Sequence, residues 1–242
     1  MKKTIIRIIV LTLLILMSVC IIFLGVGYSK YSNTLKEQNL SSKVEEIQSD
    51  ENYAKLEDIN KFYINAVVAV EDHRFYEHNG IDVLALGRAM LRNIKNRELL
   101  EGGSTITQQL AKNTFFTQNK EIVRKVAEGF MALDYEKNYS KDEILELYLN
   151  TSYFGDGYYT VKEASLGYFD KLPIDLNEYE ASMLAGIPNA PSVYSPTVNF
   201  KLASERQNQV LSKMVKYGYI TEAKKKEILN QTQTYHEYFN KK

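Results

Sequence analysis

The sequence predicts a mainly α-helical body behind one N-terminal membrane-spanning helix, on three observations. Ile8–Tyr28 is a charge-free, almost wholly apolar run of 21 residues, which as a helix would extend roughly 30 Å, about the thickness of a bilayer's hydrocarbon core. The 242 residues contain only four prolines, and no region sustains the apolar–polar alternation of a half-buried strand. Several segments open on residue patterns that cap helices.

Taken in order, Lys2, Lys3 and Arg7 precede the apolar run and no acidic residue does. The positive-inside rule therefore places residues 1–7 in the cytoplasm, residues 8–28 across the membrane and the body outside. A cleaved signal peptide has a shorter apolar core and a small-residue cleavage site, and Gly25–Gly27 makes a poor one. A lipoprotein signal would use Cys20, but Met17-Ser18-Val19 is a poor lead-in and apolar residues continue beyond it. An uncleaved anchor is the better reading. Residues 29–58 are polar and read as a stem lifting the domain off the membrane. The body is expected over residues 59–242.

Within the body, helices are expected at 61–71, 82–96, 104–113, 121–137, 161–169 and 199–217. Ser140-Lys-Asp-Glu143 is a capping box leading into ILELYLN, and Asn177-Glu-Tyr-Glu180 opens a helix through Leu184. Thr221 caps the short charged segment EAKKKEIL. Loops fall at Gly102-Gly103, at Gly155-Asp-Gly157 and from Pro188 to Pro196. The tail from Lys201 to Lys242 carries nine basic and four acidic residues and reads as a solvated helical surface, with attraction to anionic lipid as a secondary reading.

Composition excludes several classes. The 30 basic and 30 acidic residues cancel, and beyond residue 28 the balance is 27 against 30. A slightly acidic body argues against a general nucleic-acid binder. Cys20 is the only cysteine, so a disulfide framework or cysteine-based zinc site within one chain is excluded.

Chemistry-bearing residues concentrate in three places. Ala69-Val-Glu71-Asp72-His73-Arg74-Phe75-Tyr76-Glu77-His78-Asn79-Gly80 sets six acidic or basic side chains at the end of an apolar run. Glu71 falls at a helix C-terminus, where the dipole disfavours an anion and nearby apolar surface adds to the effect, a setting suited to a general base. Spacing alone favours a surface charge cluster instead. A zinc reading of His73 and His78 is weaker, since a spacing of five does not put both on one helical face.

The second place is Glu101-Gly102-Gly103-Ser104-Thr105-Ile106-Thr107-Gln108-Gln109-Leu110-Ala111-Lys112-Asn113. At 100° per residue, Thr105, Gln108, Gln109 and Lys112 share one polar arc while Ile106 and Leu110 face elsewhere. Such an arc can bind a sugar or phosphate, or be the wet face of an ordinary amphipathic helix. The glycine spacing is not that of a Walker phosphate loop. The third place is Arg124-Lys125-Val126-Ala127-Glu128, whose helical spacing by itself reads as a surface ion pair of a few tenths of a kcal/mol.

Together with RKVAE…SKDEILELYLN, YFGDGYYTVKEASLGYF and EYEASMLAGIPNAPSVYSP, the blocks EDHRFYEHNG and GGSTITQQLAKN resemble the five motifs of the peptidoglycan glycosyltransferase family. They occur in the family's order and cover most of residues 61–197. The family is found alone and at the front of bifunctional penicillin-binding proteins. The resemblance implies a mostly α-helical, lysozyme-like large lobe with a smaller membrane-facing lobe. It further implies Glu71 as the catalytic base, with Asp72, Phe75, His78 and Gly80 supporting it. Ser104, Thr105, Gln109, Lys112 and Asn113 match the block that binds the donor, and Arg124, Lys125 and Glu128 the block with the second essential glutamate. Glu128 would either orient the cations or hold a divalent ion (Mg or Mn) against a pyrophosphate, and the sequence leaves both open. A segment around 91–101 tends to be mobile in the family.

The implied partners are lipid II, a polyprenyl-pyrophosphate-linked glycan chain, the membrane and other cell-wall synthesis proteins, with no nucleic acid. The implied reaction transfers the growing chain to the GlcNAc 4-hydroxyl of lipid II with inversion, forming β-1,4 bonds. A lysozyme-like hydrolase and a catalytically dead scaffold are the rivals. Neither Ser-x-x-Lys nor Lys-Thr-Gly occurs, so the expectation is a monofunctional enzyme without transpeptidase activity.

Overall fold

The computed structural model describes residues 2–96, 103–116 and 122–242, with Lys2 and residues 90–96 as backbone alone. Among them the chain is helical and without strands, as expected. The helices are α1 (Lys2–Glu37), α2 (Leu40–Gln48), α3 (Lys61–Glu71), α4 (Val83–Asn96), α5 (Ile106–Phe115), α6 (Ile122–Asn138) and α7 (Lys141–Leu149), followed by α8 (Val161–Phe169), α9 (Glu178–Leu184), α10 (Pro191–Tyr194), α11 (Phe200–Lys216), α12 (Glu222–Leu229) and α13 (Thr232–Phe239).

The capping signals act where the sequence places them. Ser140 and Glu143 form a reciprocal capping box at α7, Asn177 and Glu180 another at α9, and Thr221 caps α12. Thr160 and Glu163 form a further one at α8. Each satisfies backbone N–H groups that a helix's first turn leaves without partners. The helix expected over 104–113 was to begin at 104, but α5 begins at Ile106 because Thr105, not Ser104, is its N-cap, with Gln108 closing the box. Of the segment 91–101, residues 91–96 are helical, and the remainder lies outside the described residues.

α1 is one continuous helix that is long and apolar enough to cross a membrane. It runs beyond residue 28 to Glu37, and part of the stretch read as a stem, from Leu40 onward, is packed into the body. The helix runs on along α6, where Tyr28, Tyr31 and Phe130 pack ring against ring and the Tyr31 hydroxyl donates to Asp134. At Gly27 the two helices meet so closely that an added Cβ would clash with the Val126 side chain. Further on, Leu40, Val44 and Ala54 are buried in the core, and Ala54 exchanges both backbone hydrogen bonds with the Asn150 side chain at 2.8 Å. Scattered apolar residues in a polar stretch were enough to dock it.

The core positions the functional residues. α3 buries Tyr63, Ala66, Val67, Val68 and Ala69 and packs on α9 and α11. α5 buries Ile106 and Leu110 and packs on α6 and α7. The C-terminal end of α3 thus opens beside the polar face of α5.

Candidate active site

α3 ends at Glu71 because Asp72 leaves helical geometry (φ −156°, ψ 79°), freeing its carboxylate for two donors. Asp72 Oδ2 accepts from the Ile106 amide at 3.1 Å and pairs with His78 Nε2 at 2.9 Å. A carboxylate only accepts, so His78 Nε2 carries the proton. The Ile106 amide is one of the unpaired first-turn donors of α5, and Asp72 therefore ties the end of α3 to the start of α5. Thr105 Oγ1 completes the junction, donating to the Gly80 carbonyl at 2.6 Å and accepting from the Gln108 amide at 3.1 Å. Phe75 is wholly buried beneath it. Asp72, Phe75, His78 and Gly80 are thus framework.

Gly80 makes this junction possible at φ +78°, and an added Cβ would lie 3.1 Å from the Ala132 carbonyl oxygen and 3.2 Å from Glu136 Cγ. Gly80→Ala is therefore expected to cost about 1–3 kcal/mol of stability, read as a lower urea midpoint. An unchanged midpoint would contradict the strained-turn account.

The run 71–80, which spacing favoured as surface charge, divides. Arg74 and Glu77 do form an exposed-side ion pair at 2.9 Å, whereas Asp72 and His78 are buried and Glu71 keeps only 9% of its side chain exposed. Glu71 Oε2 accepts from Gln109 Nε2 at 2.8 Å, and Oε1 faces Arg206 Nη2 at 3.5 Å. The two histidines are engaged separately: His73 stacks on Tyr217 with ring centroids 4.0 Å apart, and His78 pairs with Asp72. Burial and the nearby Arg88 charge both push the His73 imidazole below the usual histidine range.

Across the cleft stand the α5 and α6 residues. Thr105, Gln108, Gln109 and Lys112 all line it, as the polar arc predicts, and Ile106 and Leu110 point into the core. Burial holds the Lys112 ammonium below the ordinary lysine range, Lys125 and Arg124 lower it further, and Glu128 and Glu71 oppose the shift. Asn113, though on α5, does not line the cleft.

The α6 group is no surface pair. Glu128 is fully buried, its Oε1 engaged by Arg124 and its Oε2 by Lys125 Nζ at 2.9 Å. Lys125 also donates to Ser104 Oγ at 2.6 Å, bridging α6 to the loop before α5. Both Glu128 oxygens therefore serve cations, an arrangement that fits the orienting role and does not fit a divalent ion held by this carboxylate.

The cleft encloses about 710 Å³, and its remaining wall escaped the sequence reading. Arg206, Gln209, Lys213 and Lys216 of α11 line it together with Arg88, Asn189, Tyr194 and Tyr217. The tail was expected to be solvated surface, which holds for the exposed Gln209 and Lys216, whereas Arg206 and Lys213 are half-buried in the cleft wall. The signal was present: residues 206, 209, 213 and 216 share one helical arc, flanking the arc of the buried Ala203, Gln207, Val210 and Met214.

A helical domain whose cleft gathers Glu71 with cations from α5, α6 and α11 has the site of an enzyme. The transglycosylase family model matches residues 37–215, and the chain belongs to that family. It is 42% identical over 231 residues to penicillin-binding protein 1F of Bacillus subtilis (strain 168), covering 91% of this chain and 32% of that protein. Penicillin-binding protein 1A of Aquifex aeolicus (strain VF5) is 42% identical over 182 residues, 75% of this chain and 25% of the relative. Penicillin-binding protein 2D of B. subtilis (strain 168) is 43% identical over 183 residues, 76% and 26% respectively. The chain thus spans about a third or less of the length of these relatives.

Proposed function

We propose that this protein polymerises lipid II into glycan strands of peptidoglycan at the outer face of the cytoplasmic membrane. The observation that carries the reading is one cleft in which Glu71, held by Gln109 and Arg206, faces Lys112, Lys125 and the buried Glu128. The family membership supports it.

In this reading the GlcNAc 4-hydroxyl of lipid II attacks C1 of the terminal MurNAc of the growing chain. Glu71 takes the hydroxyl proton as the new C–O bond forms. The bond from C1 to the polyprenyl pyrophosphate breaks, and the electron pair leaves with the pyrophosphate. Attack opposite the leaving group inverts C1 and gives a β-1,4 linkage, and a single displacement needs one carboxylate base. A pyrophosphate leaving group requires charge neutralisation more than protonation, which is the part given to Lys112, Lys125 and Arg124. Glu128 holds the latter two in place. α1 would confine the enzyme to the membrane that holds its lipid-linked substrates, with the N-terminus cytoplasmic by the Lys2, Lys3 and Arg7 charges.

Purified protein with labelled lipid II tests the reading. It is expected to yield long glycan strands that lysozyme degrades. Release of soluble fragments from finished peptidoglycan, with no polymer from lipid II, would identify a hydrolase instead. The lowered Lys112 ammonium adds a pH signature. As pH rises, Lys112 loses its proton before an exposed lysine would at about 10.4, and kcat/KM is expected to fall with it. Lys112→Arg, with a guanidinium charged throughout the accessible range, is expected to remove that basic limb, and its persistence would exclude Lys112 as the titrating group.

A further inference from the structure

Behind Glu71, away from the open cleft, lies a buried polar tier that the proposed reaction does not yet use. Tyr148 of α7 is 1% exposed, and its hydroxyl donates to Gln109 Oε1 at 3.3 Å. Gln109 in turn donates through Nε2 to Glu71 Oε2 at 2.8 Å. Three helices thus contribute one side chain each to a relay ending on the catalytic carboxylate.

The direction of the relay is fixed by chemistry. Were the Gln109 amide flipped, its oxygen would meet the Glu71 carboxylate, two acceptors with no proton between them. The carboxylate thus demands the amide NH₂, which leaves Gln109 Oε1 pointing inward to find a donor of its own. Tyr148 supplies it. Burial, with the charge of Glu71 nearby, pushes this phenol well above the usual tyrosine range, so the hydroxyl keeps its proton for donation. The second oxygen of Glu71 is held differently. Arg206 Nη2 stands 3.5 Å from Oε1, longer than the about 2.7–2.9 Å of a charge-assisted hydrogen bond.

We propose that Tyr148 is a positioning residue for the reaction: by fixing the Gln109 amide it commits Glu71 Oε2 to a hydrogen bond and leaves Oε1 as the atom that takes the acceptor's proton. Tyr148 reaches no substrate, being walled off by Gln109 and Glu71. Its effect is on the geometry of the base, and therefore on turnover rather than on substrate capture. The inference rests on the glycan-polymerising reading.

A built-in control lies on the same helix as the base. Tyr63 is fully buried, its hydroxyl has no hydrogen-bond partner among the described residues, and the charge of Glu71 reaches it. Tyr63→Phe and Tyr148→Phe remove the same atom from the same core, but only the second cuts the relay. With purified full-length protein and lipid II, Tyr148→Phe is expected to lower kcat about tenfold, the scale of one orienting hydrogen bond, with KM unchanged. Tyr63→Phe is expected to keep the wild-type kcat. In a Gln109→Ala background, adding Tyr148→Phe is expected to cost nothing further, because the relay is already broken.

A wild-type kcat in Tyr148→Phe would overturn the proposal, as would an equal loss in Tyr63→Phe, which would mark a general packing effect. Losses that multiply in the double variant would overturn it too. If the wild-type protein makes no polymer, the reading of the reaction fails. If it does and Tyr148→Phe is silent, only the relay fails.

Discussion

Glu71→Gln is expected to leave a folded protein that binds lipid II and makes essentially no glycan. The substitution is isosteric, so the packing around a side chain that is 9% exposed is undisturbed, and Gln109 Nε2 can donate to the new amide's oxygen as it does to Glu71 Oε2 at 2.8 Å. What is lost is the proton acceptor. General base catalysis by a positioned carboxylate is worth roughly 10²–10⁴ in rate, and the loss should fall on kcat. The cations that would hold pyrophosphate remain, since Lys112 and Lys125 draw their positions from α5, α6 and Ser104. Single-turnover assays with labelled lipid II, paired with a binding measurement, separate the two effects. Undiminished polymerisation would remove Glu71 from its role, and loss of binding in step with rate would make it a substrate contact instead of a base.

How far the site was legible depended on whether its residues answer to local spacing. Thr105, Gln108, Gln109 and Lys112 lie on one turn-by-turn arc that helical geometry identifies, and the structure turns that arc into the cleft. Glu71 fell at the predicted helix end, because Asn60 caps α3 and Asp72 breaks it. Arg124, Lys125 and Glu128 show the limit. Their spacing is the same whether the helix face is wet or buried, and only the packing of α6 between α1, α5 and α7 turns a pair that spacing reads as a surface one into a fully buried carboxylate. Arg206 is harder still. It lies 135 positions beyond Glu71, so its partnership comes from α11 packing on α3, a tertiary contact without local signature. The polar stretch 29–58 misled for a related reason: Leu40, Val44 and Ala54 suffice to dock it, and a mean composition does not show where three apolar residues point.

Glu128→Gln tests that burial and is expected to damage both stability and turnover. The carboxylate has no exposed surface, and its two oxygens hold the Arg124 guanidinium and the Lys125 ammonium. Arg124 and Lys125 sit on different oxygens of Glu128, so the amide oxygen can replace only one of these sites, and the NH₂ would be turned against the other cation. Breaking a buried pair from one side typically costs about 3–5 kcal/mol. The figure here should sit at the lower end, since the Lys125 side chain is 46% exposed and water can take over part of its solvation, whereas Arg124 is 11% exposed and cannot be so relieved. Turnover is expected to fall on the order of 100-fold, the loss seen when one preorganised stabilising group is removed from a developing anion. Lys125→Ala separates the contributions. It deletes a half-exposed cation and its bridge to Ser104 at 2.6 Å but leaves the Arg124–Glu128 pair, so stability should barely change while turnover still falls. If Glu128→Gln unfolds at the wild-type temperature and retains the wild-type rate, the buried glutamate neither holds the cations nor serves the reaction. If stability falls but the rate per folded molecule does not, Glu128 is architectural alone, and charge neutralisation at the leaving group rests on Lys112.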